Sequence, residues 1–262
     1  MNNAKPFFSI ITCTKNSATT LPETIASVKA QTFQNFEHIF IDAQSTDKTL
    51  SLIRQYQKHT RYPVKIFSYP PKGISNAMNK GVNHSVGKYL FHLHSDDSFF
   101  GPSVLDKIHQ FLLQHPHLDW IYGKINTINQ DSHQSFGTFP NYSIFHLASP
   151  LILSFFNYIP HQSVFIKKKV FTHYGLFDEN IKVAMDYDFW LRITNHTSWK
   201  FFNQIVSNYN ISPASNSANP ANAQKNIQEY DYIFKKNHHP LIYPIARIFN
   251  QFIESRNKIR QK

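Results

Sequence analysis

Two adjacent carboxylates, Asp96 and Asp97, end an apolar run in LFHLHSDDSFF, Leu90 to Phe100. Like charges side by side repel, and near a low-dielectric core they need a counter-charge. Two arrangements would explain the pair: a surface turn that caps the next helix, or a cation site. Another carboxylate, Asp42, closes a second apolar run, FEHIFID. Asp186 and Asp188 stand two apart in MDYDFW, at an expected helix start. That spacing points their side chains in different directions, so only one would face a given ligand. Both also suit a helix N-terminus electrostatically.

The elements that must position these groups alternate through the first half of the chain. FFSIITC (Phe7–Cys13), FEHIFID (Phe36–Asp42), VKIFSY and KYLFHLH are the expected strands. Between them, TTLPETIASVKAQ, STDKTLSLIRQY and GISNAMNKGVNHS carry helical patterning, with Ser45 or Thr46 as the expected N-cap of the second. Such alternation implies an α/β fold, a Rossmann-like, mostly parallel sheet covered on both faces. Ligands of such sheets bind beyond the carboxyl ends of the strands. Asp42 and Asp96–Asp97 therefore share one rim. The second half is less regular. LDWIYGKINTIN, SVFIKKKVF and WKFFNQIVSNYN pattern as strands, MDYDFWLRITNH as a helix start, and SPASNSANPANAQ as a polar loop. No internal repeat is visible.

The chain has 262 residues, enough for one large domain or two small ones. Hydrophobic residues make up 41% and charged residues 16%, which fits a globular protein rather than a disordered one. The formal charge of +11 favours an anionic contact: a phosphorylated ligand, a lipid headgroup or a nucleic acid. Cys13 is the one cysteine, so an intrachain disulfide is impossible, and core filling is its expected role. Neither a signal-peptide core nor a run of about 20 apolar residues is present. The expectation is a cytoplasmic protein, with peripheral attachment at the inner face of the membrane left open.

Four stretches, taken in order, carry a resemblance: the opening FSIITCTKNSATTLPETIASVKAQTFQNFEHIFIDAQSTDKTLSLI, then PKGISNAMNKG, then HSDD, then HQSVFIKKKVFTHYGLFDENIKVAMDYDFWLRI. The set resembles the inverting glycosyltransferases of family 2, which have the GT-A fold. The resemblance implies a metal-dependent, hexosyltransferase-type enzyme that uses a nucleotide-sugar donor, expected to be a uridine diphosphate sugar. The acceptor would be a hydroxyl of a glycan or lipid-linked saccharide in bacterial surface polysaccharide synthesis. By the same resemblance, Thr12, Lys15 and Asn16 border the base and ribose, and Asp42 accepts a hydrogen bond from the pyrimidine. Lys72, Gly73 and Asn76 belong to the donor-binding signature, and Asp96 approaches the ribose. Asp97 binds Mn²⁺ or Mg²⁺ through the donor diphosphate, and Asp186 is the general base with Asp188 as the nearby alternative. The sequence departs from the family at Ala43 and Gln44, where glycines are common, and at Pro71, where an acid is frequent. Asn76 replaces a usual Asp, and Met78 a frequent Arg. If that Arg holds phosphate, Lys72 or another cation must substitute.

The chemistry suits these residue types. Charge develops on the leaving phosphate oxygen of a nucleotide sugar, and a hard cation on carboxylate and phosphate oxygens neutralises it. One or two protein carboxylates suffice, because phosphates and water complete the shell. A carboxylate opposite the leaving group can take the acceptor proton, for about 10²–10⁴-fold in rate. His161 is read as an ordinary hydrogen-bonded histidine, with a metal or phosphate contact as the alternative. Trp190 is read as core, Asp47 as support for a helix start, and the 15 histidines show no zinc spacing.

The domain reading is a catalytic unit over 1–225 and a basic amphipathic tail over 226–262. Ile245, Ile248, Phe249, Phe252 and Ile253 share one helical face, and seven Lys/Arg from Lys235 onward face one acid, Glu254. Such a tail either binds an anionic membrane surface or packs on its own domain. A non-catalytic nucleotide-sugar-binding module is the competing function. A nucleic-acid partner is not expected, since no recognition helix is apparent. Oligomeric state is not readable.

Overall fold

The computed structural model describes residues 5–130, 132, 134–140, 149–211, 223–237 and 244. The chain opens with β1 (Phe8–Thr14), α1 (Leu21–Lys29), β2 (Phe36–Asp42), α2 (Thr49–Lys58), β3 (Val64–Ser68), α3 (Ile74–His84) and β4 (Tyr89–His92). There follow β5 (Ser98–Phe99), α4 (Val104–Gln114), β6 (Trp120–Asn129), β7 (Ser135–Phe139) and α5 (Pro150–Leu153). After a 3-10 turn, His161–Ser163, come β8 (Val164–Lys167), α6 (Lys168–Tyr174), α7 (Met185–Ile193), β9 (Trp199–Ile211) and α8 (Ala223–Asn237).

The strands form one sheet in the order β3-β2-β1-β4-β8-β6-β9-β5, with β7 paired to β6. β3, β2, β1 and β4 are mutually parallel, and β6 and β9 run parallel to each other. β8 is antiparallel to both β4 and β6, so six of the nine described strands point one way. The expected mostly parallel sheet is present. Alternate residues along a strand enter opposite cores, as the period of two requires. Tyr89 and Phe91 join the core under α1, α2 and α4, while Leu90 joins the one containing α3, α7 and α8 side chains. On that second face, α3 crosses β1 closely at Gly81. A Cβ there would lie 2.3 Å from Ile11 Cγ2, so only glycine fits.

Two local expectations need correction. Ser45 and Thr46 do not cap α2: Asp47 Oδ1 accepts from Thr49 N at 2.9 Å, while Ser45 is drawn onto Asp42. SVFIKKKVF is not one strand. It ends as β8 at Lys167, where Lys167 Nζ lies 3.7 Å from Asp119, and turns directly into α6.

α8 packs against the domain through Ile233 and Phe234, both buried. Two of the tail's seven cations are already paired there, Lys235 with Asp231 and Lys236 with Asp178 and Asp188. The other five, and the apolar stripe Ile245–Ile253, lie outside the described residues. No described helix is long and apolar enough to cross a membrane.

Candidate active site

The carboxyl ends of β1, β2 and β4 open into a cleft of about 630 Å³. Lys15, Asp42, Lys72, Gly73, Asn76, Asp96, Asp97 and Asp186 all line it, brought together from separate stretches of chain. Gly73 enters α3 at φ +96°, a conformation that side chains disfavour, and so permits the turn into the helix.

Asp42 is fully buried at the end of β2. Thr14 Oγ1 donates to its Oδ1 at 3.0 Å, Ser45 Oγ to Oδ1 at 2.5 Å, and Ser45 N to Oδ2 at 2.9 Å. These bonds fix the carboxylate at the rim. The loop beyond it holds Gln44 at φ +54°, which explains why glycine would suit this position. Asn16 secures the same loop: its Oδ1 accepts from Thr46 N, and its own N–H donates to Ser45 Oγ. Asn16 does not line the cleft. Neither does Thr12, which is buried and bonded to His38 at 3.0 Å; Thr14 takes the rim position instead.

The acidic pair is not a helix cap. β5 intervenes, and α4 begins only at Val104 after Ser103. Asp97 is 1% exposed. Its Oδ1 accepts from Asn210 N of β9 at 3.0 Å, and its carbonyl accepts from Thr24 Oγ1 at 2.7 Å. The Asn210 amide also holds the Asp96 carbonyl. Asp97 Oδ2, though buried, has no hydrogen-bond partner among the described residues. Burial, then the neighbouring Asp96, push the Asp97 carboxyl well above the usual carboxylate range. A buried, unpartnered carboxylate oxygen in a cleft fits a hard cation. Among the described residues no group of three or more His, Cys, Asp or Glu could hold one alone. The remaining ligands would have to come from substrate and water.

Asp186 opens α7 and receives the Tyr187 N–H at 2.8 Å and a hydrogen bond from Asn157. Desolvation outweighs these bonds and raises its carboxyl to about 6. Asp188 points elsewhere, as the spacing implied, and does not line the cleft. It is fully buried, with Arg192 Nε at 3.0 Å, Lys236 Nζ at 3.0 Å and Asn237 Nδ2 at 3.0 Å. The sequence-level alternative for the base is therefore spent on joining α7 to α8. Removing one partner of a buried ionic group typically costs about 3–5 kcal/mol. Asp188→Asn is expected to lose about 3 kcal/mol of unfolding free energy, near the low end because Arg192 and Lys236 reach solvent. Urea denaturation measures this, and a loss below about 1 kcal/mol would contradict the structural role.

His161 lines the cleft and is 8% exposed, yet neither ring nitrogen has a hydrogen-bond partner among the described residues. The expectation of an ordinary hydrogen-bonded histidine is thus corrected. The ring sits among other rings, 5.4 Å from His92, 5.5 Å from His94 and 6.2 Å from Trp190. Burial, then these two histidines, hold it well below the usual range. Trp190 and Tyr187 are core residues, each 1% exposed. Cys13 packs at the core edge and also lines the cleft, where burial pushes its thiol up to about 12.

Several cleft residues escaped sequence reasoning. Lys182 lines the cleft beside Lys15 and Lys72, its Nζ bonded to the Glu179 carbonyl. It stands four residues before Asp186 within the motif segment, a spacing that could have revealed it. Tyr230 arrives from α8, and no local pattern announces it.

The family model of glycosyl transferase family 2 matches residues 9–172. A PGL/p-HBAD biosynthesis glycosyltransferase of Mycobacterium bovis is 29% identical over 209 residues, 79% of this chain and 78% of its own. An uncharacterised glycosyltransferase of Rickettsia typhi is 28% identical over 236 residues, 89% of this chain and 72% of its own. Among solved structures, S. aureus TarS 1–349 in complex with UDP-GlcNAc superposes with a TM-score of 0.73 at 17% identity, covering 95% of this chain and 72% of that one. The chain spans 39% of the longer TarS chain. The Pyrobaculum calidifontis mannosyltransferase PcManGT, solved with GDP-Man and Mn²⁺, gives a TM-score of 0.64 at 15% identity, covering 95% of this chain and 70% of that one. The sheet and its helices share the GT-A architecture of these structures.

Proposed function

Because the chain belongs to glycosyl transferase family 2, and is a glycosyltransferase by that membership, we propose that it moves a sugar from a uridine diphosphate donor, with inversion, to a hydroxyl of a glycan or lipid-linked acceptor. The observation that carries this reading is one cleft holding Asp42, the unpartnered Asp97 Oδ2 and the raised Asp186 carboxyl together. The TarS complexes with UDP and UDP-GlcNAc support the donor class. The relative named for PGL/p-HBAD biosynthesis supports an acceptor from surface glycoconjugate synthesis. A non-catalytic binding module would have no use for a carboxylate poised like Asp186.

In this reading Asp42 accepts from the pyrimidine N–H. Lys15, Lys72 and Lys182 offset the diphosphate charge. Asp97, with the donor phosphates, would hold Mn²⁺ or Mg²⁺; the Mn²⁺ of PcManGT supports that choice. When bound, the cation neutralises charge on the departing phosphate oxygen. Asp186 takes the proton of the acceptor hydroxyl. That oxygen bonds to the anomeric carbon, while the bond to phosphate breaks with its electron pair and nucleoside diphosphate leaves. A carboxyl near 6 is largely ionised at neutral pH yet more basic than an exposed Asp, which suits a general base. The C-terminal stretch beyond Lys236, basic with an apolar stripe, is proposed to meet the anionic inner face of a membrane that bears a lipid-linked acceptor.

Calorimetry with Mn²⁺ tests the donor assignment. Uridine diphosphate should bind, and Asp42→Ala should weaken it by about 10-fold or more, the worth of a hydrogen bond to a charged group. Guanosine diphosphate binding equally or more tightly would overturn the base assignment. A screen of nucleotide sugars for Mn²⁺-dependent hydrolysis then identifies the sugar.

A further inference from the structure

α7 starts at Met185 after Ala184, whose side chain cannot cap it. Helix starts leave several backbone N–H groups without an internal acceptor. Here the N-cap residue Ala184 and the two residues before it share one acceptor that lies 45–47 residues downstream. Glu229 of α8 receives three consecutive backbone N–H groups: Lys182 N on Oε1 at 2.7 Å, and Val183 N and Ala184 N on Oε2 at 2.9 Å and 3.3 Å. Those three residues line the cleft, and they lead directly into Asp186. Tyr230, the next residue along α8, lines the cleft as well.

α8 is itself anchored on α7. Lys236 and Asn237 bind the Asp188 carboxylate, and Lys236 also binds Asp178 at 2.8 Å. Ile233 and Phe234 are buried in the same core as Tyr187 and Phe189. α8 thus holds the base-bearing segment at two points: Glu229 at the turn before α7, and Lys236–Asn237 at Asp188 in its first turn.

We propose that Glu229 is a positioning residue for transfer: its carboxylate fixes the turn 182–184, and through it the direction of Asp186. This rests on the reading of Asp186 as the base. No other described side chain accepts from these three N–H groups, so their orientation depends on one carboxylate. A displacement of about 1 Å at a reacting group can cost about 100-fold in rate. A helix that only stabilised the fold would not require a charged acceptor aimed at the backbone leading to the base.

The test uses the full chain and three variants, Glu229→Gln, Glu229→Ala and Asp186→Asn. Hydrogen exchange reads the amides of 182–184. Hydrolysis of the donor found by the nucleotide-sugar screen gives kcat and donor KM. Glu229→Ala should speed exchange of those amides by about 10-fold or more, and lower kcat by about 10- to 100-fold, with a distinctly smaller rise in donor KM, since Lys182 of the same turn meets the diphosphate. Glu229→Gln, which keeps one acceptor oxygen and the side-chain size, should fall between it and the wild type. Unchanged amide exchange, or faster exchange with wild-type kcat, overturns the proposal. A matched loss in kcat and donor affinity also overturns it, because it indicates general loosening of the cleft. Wild-type kcat in Asp186→Asn separates the cases: the base assignment then fails, whatever the Glu229 variants show.

Discussion

Asp186→Asn should lower sugar transfer by about 10²–10⁴-fold while leaving donor binding nearly unchanged. Asparagine is almost isosteric and can still accept the Tyr187 N–H that now reaches Asp186 Oδ1. It cannot take a proton from an acceptor hydroxyl, so the loss falls on kcat rather than on donor affinity. A pH profile adds an independent check. The folded carboxyl is raised to about 6, so the basic form is populated above that pH and depleted below it. In the wild type kcat should fall as pH drops through about 6, and the residual rate of the variant should lack that limb. Steady-state transfer across pH, with calorimetry of uridine diphosphate alongside, measures both. A wild-type rate in Asp186→Asn would remove this carboxylate from the chemistry.

The second large effect is expected at Asp97. Asp97→Asn should cost about 10²–10³-fold in Mn²⁺-supported turnover, since charge on the departing phosphate would lose its counter-ion. Stability should move the other way. The folded carboxyl is raised above its unfolded value, so its contribution is complete at low pH and is lost as pH rises through the folded value. Asparagine has no charge to desolvate, and it can keep an oxygen for the Asn210 N–H. Near neutral pH its melting temperature should equal or exceed that of the wild type. A variant that melts lower and turns over normally would make Asp97 a structural residue, and the unpartnered Oδ2 would need another explanation.

Much of this site is visible in the sequence because strand ends are visible. FEHIFID spans the same residues as β2, and its terminal Asp42 sits where an apolar run stops. HSDD follows β4 for the same reason. The error at Thr12 is one of register. β1 runs through Thr14, one residue beyond the expected end at Cys13, so the rim threonine is Thr14 and Thr12 lies deeper against His38. The cap of α2 shifted because Asp42 recruits both the N–H and the hydroxyl of Ser45, a long-range demand no local cap preference reveals. That Asp186 and Asp188 diverge follows from helix geometry. Which of them lines the cleft depends on Lys236 and Asn237, which hold Asp188 from dozens of residues later. Glu229 and Tyr230 were invisible for the same reason. They belong to a polar helix whose role is set by what it packs against, not by its own pattern.

The most direct measurement of the account is a crystal structure of the full chain with uridine diphosphate and Mn²⁺, with the ion located by its anomalous scattering. Uracil is expected beside Asp42, with a manganese signal within direct coordination distance of Asp97 Oδ2 and shared with the diphosphate. A nucleotide bound outside this cleft, or a diphosphate whose ion has no contact with Asp97, would contradict it.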